Sequence, residues 1–272
     1  MPFSATGTHM IVLPGGGYAE HANHEAEPVA AWLGDLGVPA SVYRYPLHAR
    51  HPRPLNALRA EIAHRRAAGA QRVGLIGFSA GGHLAGLAAL APGAAHDETV
   101  NFAVLGYAIT SMETETYRPS RLILLGEDAS APLRRATSLD ALVTPEAPPF
   151  FIWHTAEDPY VPPEHTYRLA AALTANRVPH AVHVFTPRPA QPRPGPERRR
   201  SRDLDHPGES LDPGTGEHIG RVTHRMSRQQ VSRLVQGRRS PRGSTRSPRP
   251  LGDRARLRLP RPCRWTRGPG RC

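Results

Sequence analysis

The chain has 272 residues, enough for one large domain or two small ones, and its 39% apolar content can bury a core, which excludes a wholly disordered polypeptide. No apolar run approaches the roughly 18 residues of a membrane span, and the opening MPFSATGTHM lacks the basic-then-apolar build of a secretory signal, so the expectation is a cytoplasmic protein with no membrane partner. The net charge of +12 and pI near 10.9 suggest a nucleic-acid binder until the charge is located: 13 Arg stand against 16 Asp and Glu up to Phe185, and 22 against 7 beyond it.

Up to Phe185, apolar segments alternate with helical patterns, the rhythm of a mostly parallel, doubly wound α/β sheet. Met10 to Leu13 reads as a buried strand ending in the loop PGGGY, followed by a helix from about Glu25 to Leu36 that Gly37 stops. Ala40 to Tyr45 is a second strand, Leu55 to Ala68 a second helix, and RVGLI at Arg72 to Ile76 a third strand. Ala80 to Leu90 is helical, Phe102 to Gly106 a strand, and FFIWH at Phe150 to His154 another. Tyr160 to Asn176 contains a helix, and AVHVF at Ala181 to Phe185 is the last clear strand. Ser111 to Asp140 interrupts the rhythm, either as a lid shaping an acyl pocket or as an ordinary helical connection.

These strands place one domain in residues 1–185. From 186 to 272 the chain is Arg, Pro, Gly and Ser with few aliphatics and no sustained period, so it cannot bury enough apolar area to offset its ordering entropy. A disordered basic tail is the expectation. The chain has no Lys, and both cysteines, Cys263 and Cys272, lie in this stretch, so the first 185 residues hold no disulfide or thiolate metal site.

Gly77-Phe78-Ser79-Ala80-Gly81 follows directly on a strand and opens a helix, the context a G-x-S-x-G nucleophile elbow requires. The turn is tight, so bulky neighbours would clash while the Ser79 hydroxyl projects above the sheet. A chance match in a Gly- and Ala-rich chain is the bland alternative. Pro14-Gly15-Gly16-Gly17-Tyr18 ends the first strand. It is either a plain flexible loop or an oxyanion loop in which Gly16, Gly17 and Ala80 donate N–H groups to developing negative charge. Asp158 follows the strand FFIWH, at the sheet edge where ligands bind in open α/β sheets. It reads as the acid that orients a histidine, or as a simple Asx turn before Pro159, with Asp128, Asp140 and Glu157 as competitors. His83 and His154 read as core histidines. His21, His24 and Glu25 match no zinc-protease spacing and read as a solvated helix start.

The segments VLPGGGYAEHANHEAEPVAAWLGDLGVPASVYRYPL, RVGLIGFSAGGHLAGLAAL and PPFFIWHTAEDPYVPPEHTYRLAAAL together resemble the α/β-hydrolase fold in its acetyl-esterase and carboxylesterase-like branch, over essentially residues 10 to 185. The resemblance implies a triad in the chain order Ser, Asp, His, with Ser79 as nucleophile and Asp158 as acid. PGGGY stands where the family carries HGGG, so Pro14 replaces the usual histidine.

The third triad member is missing. The resemblance places the catalytic histidine in an H-G-x-H loop just after HVF, where this chain reads Thr186-Pro187-Arg188-Pro189-Ala190. The next histidine is His206, 206 − 185 = 21 residues beyond Phe185, a poor place from which to hold a base in hydrogen-bond reach. Thr186 to Pro196 can be encoded so that a frame shifted by one base reads Pro-His-Gly-Pro-His-Ser-Leu-Gly-Leu-Ala. The expectation is therefore out-of-frame translation beyond about Phe185.

Two functions follow from these features. One is a serine esterase of small acyl esters such as acetylated sugars, needing no cofactor and crippled by the lost histidine. The other is a non-catalytic protein whose Arg-rich tail binds nucleic acid non-specifically through phosphates, although Trp265 is its one aromatic residue.

Overall fold

A computed structural model describes residues 7–186 of the chain. All six expected strands are present: β1 (Thr8–Leu13), β2 (Ala40–Val42), β3 (Arg72–Phe78), β4 (Phe102–Gly106), β5 (Phe150–Thr155) and β6 (His180–Phe185). They form one sheet in the order β2-β1-β3-β4-β5-β6, every pair parallel. The expected disordered tail, with His206, Cys263, Cys272 and Trp265, lies outside the described residues apart from Thr186.

The helices connecting parallel neighbours cover both faces of the sheet. On one face, α1 (Glu27–Asp35) sets Val29 and Leu33 against Met10, Val12, Ile76, Phe102, Val104, Phe151 and Trp153. On the other, α2 (Arg53–Ala67), α3 (Ser79–Leu90) and α7 (Glu164–Ala175) bury Leu58, Ile62, Leu84, Leu87, Leu169 and Leu173 against Ile11, Leu13, Val73, Leu75, Leu105 and Ile152. Alternate residues of each strand thus feed opposite cores. Four central strands buried on both sides read as nearly continuous apolar runs for that reason.

Several element ends differ from those expected: β1 begins at Thr8, β3 runs on to Phe78 and β6 begins at His180. The second strand stops at Val42 rather than Tyr45, because its one partner is β1 and the chain turns inward, burying Tyr45 so that its hydroxyl donates to Pro14 O at 2.7 Å. The interruption between β4 and β5 resolves into three short helices, α4 (Arg118–Leu125), α5 (Ala131–Ala136) and α6 (Leu139–Leu142). Leu124, Leu125 and Leu139 anchor this excursion in the core. No helix among the described residues is long and apolar enough to cross a membrane.

The strand order decides where chemistry can occur. From β1 the chain moves outward to β2, then returns to place β3 on the other side of β1, so the loops after β1 and β3 leave the sheet side by side at a topological switch point. Leu13 at the end of β1 is in register with Gly77 in β3, which brings PGGGY against the serine turn.

Candidate active site

Ser79 occupies the bend between β3 and α3 with φ of +47°, a left-handed conformation that is strained for any residue bearing a Cβ. The glycines around it are dictated by contact. A Cβ on Gly77 would lie 2.4 Å from Gly81 O, and one on Gly81 would lie 2.3 Å from both Leu13 O and Pro14 O. All of these are backbone atoms, so no side chain can swing aside. Ser79 itself is half-buried, its hydroxyl without a hydrogen-bond partner among the described residues, while Ala80 is fully buried behind it at the helix N-terminus.

The glycine loop lies directly against this bend: a Cβ on Gly15 would stand 3.1 Å from Ser79 Cβ. Gly16 and Gly17 have φ of +117° and +66°, and Tyr18 continues at +65°. The loop is tied down by its own carbonyls, Gly16 O accepting from Ala19 and Glu20 N–H at 3.0 and 3.1 Å and Gly15 O from Ala22 N–H at 3.0 Å. No acceptor for the N–H groups of Gly16 or Gly17 occurs among the described residues. The structure therefore brings the Ser79–Ala80 bend against the loop that carries Gly16 and Gly17.

Two buried groups buttress this loop, the Glu25 carboxylate and the Tyr18–His83 pair. Glu25 is 3% exposed, not part of a solvated helix start: its carboxylate accepts from Gly15 N–H at 2.5 Å and from the Tyr107 hydroxyl. The helix begins only at Glu27, and a short 3₁₀ turn (Asn23–Glu25) folds Glu25 inward while leaving His24 exposed. Burial pushes the Glu25 carboxyl up from its ordinary value, against the opposing pull of those two donors. Tyr18 donates to His83 Nδ1 at 2.7 Å, and His83 Nε2–H donates to Thr137 O at 2.8 Å. This buried chain links the glycine loop, the helix after the serine and the excursion that follows β4. Spacing carried no hint of either contact, since the partners are separated by 65 residues in one case and 82 in the other.

Asp158 sits on the loop after β5, as expected. Its Oδ1 accepts from the N–H groups of Tyr160 and Val161 at 2.9 and 2.8 Å, so the Asx turn is formed, and Oδ2 lies 3.7 Å from His154 Nε2. The competitor Asp140 is engaged elsewhere, its carboxylate 2.8 Å from Arg168 Nε. His83 and His154 are core histidines as expected: His154 bonds Thr166 Oγ1 and Val161 O, both at 2.8 Å. A third, His165, accepts from Thr110 and Ser111 N–H and donates to Glu115 O. No histidine among the described residues hydrogen-bonds Ser79 or stands free beside Asp158.

The family model described as BD-FAE matches residues 8–173. The chain belongs to the BD-FAE family. Its architecture is that of α/β hydrolases. It is 31% identical over 197 residues to endo-1,4-beta-xylanase B of Butyrivibrio fibrisolvens, an alignment covering 65% of this chain and 31% of that protein. It is 29% identical over 138 residues to the acetylxylan esterase of Xylanibacter ruminicola, covering 47% of this chain and 28% of that one. The match thus spans less than a third of either curated relative. Among solved structures, the acetyl ester-xyloside bifunctional hydrolase of Caldicellulosiruptor lactoaceticus superposes with a TM-score of 0.63 at 33% identity, covering 68% of this chain and 75% of that one. The carboxylesterase Cest-2923 of Lactobacillus plantarum gives 0.57 at 29% identity, with 66% and 71% covered. The BD-FAE match takes in the glycine loop, the serine turn and Asp158, and ends before β6.

Proposed function

We propose that residues 1–185 are the core of a carboxylic ester hydrolase that uses Ser79 as nucleophile on acetyl esters of sugars. The observation that carries this reading is the left-handed Ser79 packed against the glycine loop. Ser79 Oγ attacks the acyl carbon, its proton passing to a base, and the oxyanion is held by the N–H groups of Gly16, Gly17 and Ala80. The alcohol leaves with that proton, and water then cleaves the acyl-serine. Asp158 orients the histidine that serves as base. The names of the xylan-related relatives favour acetylated sugars as substrates.

The base itself is absent at the place the family resemblance assigns it, where the chain runs Thr186-Pro187-Arg188. Loss of a triad histidine costs on the order of a millionfold in turnover in a well-characterised serine protease. We infer a nearly inactive chain whose residues beyond Phe185 are read out of frame.

Hydrolysis of p-nitrophenyl acetate tests both statements. The chain as written is expected to be weak, and replacing everything after Phe185 by the frame shifted by one base is expected to raise turnover at least about a thousandfold. Ser79→Ala in that restored chain should return it to background. Equal rates with and without Ser79 would refute the assignment.

A further inference from the structure

Two exposed tyrosines meet at the mouth of the site. The rings of Tyr117 and Tyr160 lie 6.0 Å apart at 89°. Tyr117, 36% exposed, stands against the glycine loop, where a Cβ on Gly17 would come within 3.4 Å of its ring. Tyr160, 60% exposed, is held through its N–H by Asp158 Oδ1 at 2.9 Å. The pair therefore joins the glycine loop that carries the proposed oxyanion donors to the loop that carries the proposed acid. Below it, Ser120 Oγ is buried 3.5 Å from the Gly17 Cβ position and has no partner among the described residues.

Two large aromatic side chains left in water beside a reaction centre mark a binding surface. Rings at a right angle form a corner, one offering its face and the other its edge. Each tyrosine combines an apolar face with a polar tip. A pyranose ring has the complementary build, with C–H bonds on its faces and hydroxyls around its rim, and its C–H groups can point at an aromatic face. A simple alkyl alcohol would leave both tyrosine hydroxyls unused.

We propose that Tyr117 and Tyr160 form the subsite for the sugar ring that carries the ester, a role that rests on the hydrolase reading above. Binding can be measured without turnover, so the missing base does not interfere. Xylotriose is titrated into the full chain by calorimetry and by saturation-transfer NMR. Wild type is expected to bind it, Tyr160→Ala and Tyr117→Ala each to bind about tenfold more weakly, and Tyr160→Phe to fall between, about threefold weaker, because the ring remains and the hydroxyl is lost. Tyr160 is the more exposed of the two, so Tyr160→Ala still decides the matter if Tyr117→Ala fails to fold. Lack of wild-type binding up to about 10 mM, or equal binding by the alanine variants, overturns the subsite. The hydrolase reading fails separately, through an acetate-ester rate in the restored chain that is indifferent to Ser79→Ala.

Discussion

The Glu25 carboxylate accepts the N–H of Gly15 at 2.5 Å, directly beneath the bend that carries Ser79. That bond engages the first amide of the glycine loop and ties its backbone to a buried side chain. In the proposed hydrolase a loop held in this way would meet developing charge without having to reorganise, which is the condition for effective oxyanion stabilisation.

Removing the carboxylate should destabilise the fold. Glu25→Ala strands the Gly15 N–H and the Tyr107 hydroxyl in a buried site, at an expected cost of about 1–3 kcal/mol for the unsatisfied groups, readable from urea unfolding. Glu25→Gln retains an acceptor and should lose less. Burial raises the Glu25 pKa in the folded state, so the folded chain holds this proton more tightly than the unfolded one. The contribution of Glu25 to stability therefore falls as pH rises from the ordinary carboxylate range through the folded value, and Glu25→Gln should remove that slope. An unchanged pH profile in the Gln variant would contradict the assignment.

His83 gives the opposite dependence. Its pKa is lowered from 6.5 to about 4, chiefly by burial, so the unfolded chain binds its proton first. Stability from this group is complete above the unfolded value and is lost as pH falls from about 6.5 toward 4. The loss should be on the order of 3 kcal/mol. Unfolding curves across this range should steepen in wild type, and His83→Asn should flatten that part of the profile. His154 and His165 are lowered by burial as well and act in the same direction.

Relieving the strain at the serine should trade activity for stability. Glycine adopts a φ of +47° without the penalty a Cβ imposes, so Ser79→Gly is expected to raise stability by up to about 1 kcal/mol while abolishing hydrolysis in the restored chain. A destabilised variant by thermal or urea unfolding would argue that the bend is not strained.

Glycines in this chain should divide sharply on substitution by alanine. Gly81→Ala puts a Cβ 2.3 Å from two backbone carbonyls, and a loss of about 3 kcal/mol or outright failure to fold is expected. Gly34, inside α1, has nothing within 4 Å of its Cβ position, so Gly34→Ala should stabilise by about 0.5–1 kcal/mol. The two variants differ by a single methyl each, and their melting temperatures give the comparison directly.

The four central strands were legible because a parallel sheet covered on both faces must be written as runs of Val, Ile, Leu and Phe, and the serine turn because few residues other than Gly and Ala fit around it. Residues 72–81 alone carry strand, bend and helix start in local steric requirements. The end of β2 is not legible along the chain, since the burial of Tyr45 depends on a carbonyl of the β1 loop 31 positions away. Glu25 looked like a solvated charge for the same reason: its partners, Gly15 and Tyr107, come together only when the strand order sets the loops after β1 and β4 near one another. Local sterics and hydrophobic periodicity are properties of neighbouring residues and can be read along the chain. Hydrogen bonds that bury a carboxylate, and the meeting of Tyr117 with Tyr160, depend on distances across the sheet edge that only the folded topology fixes.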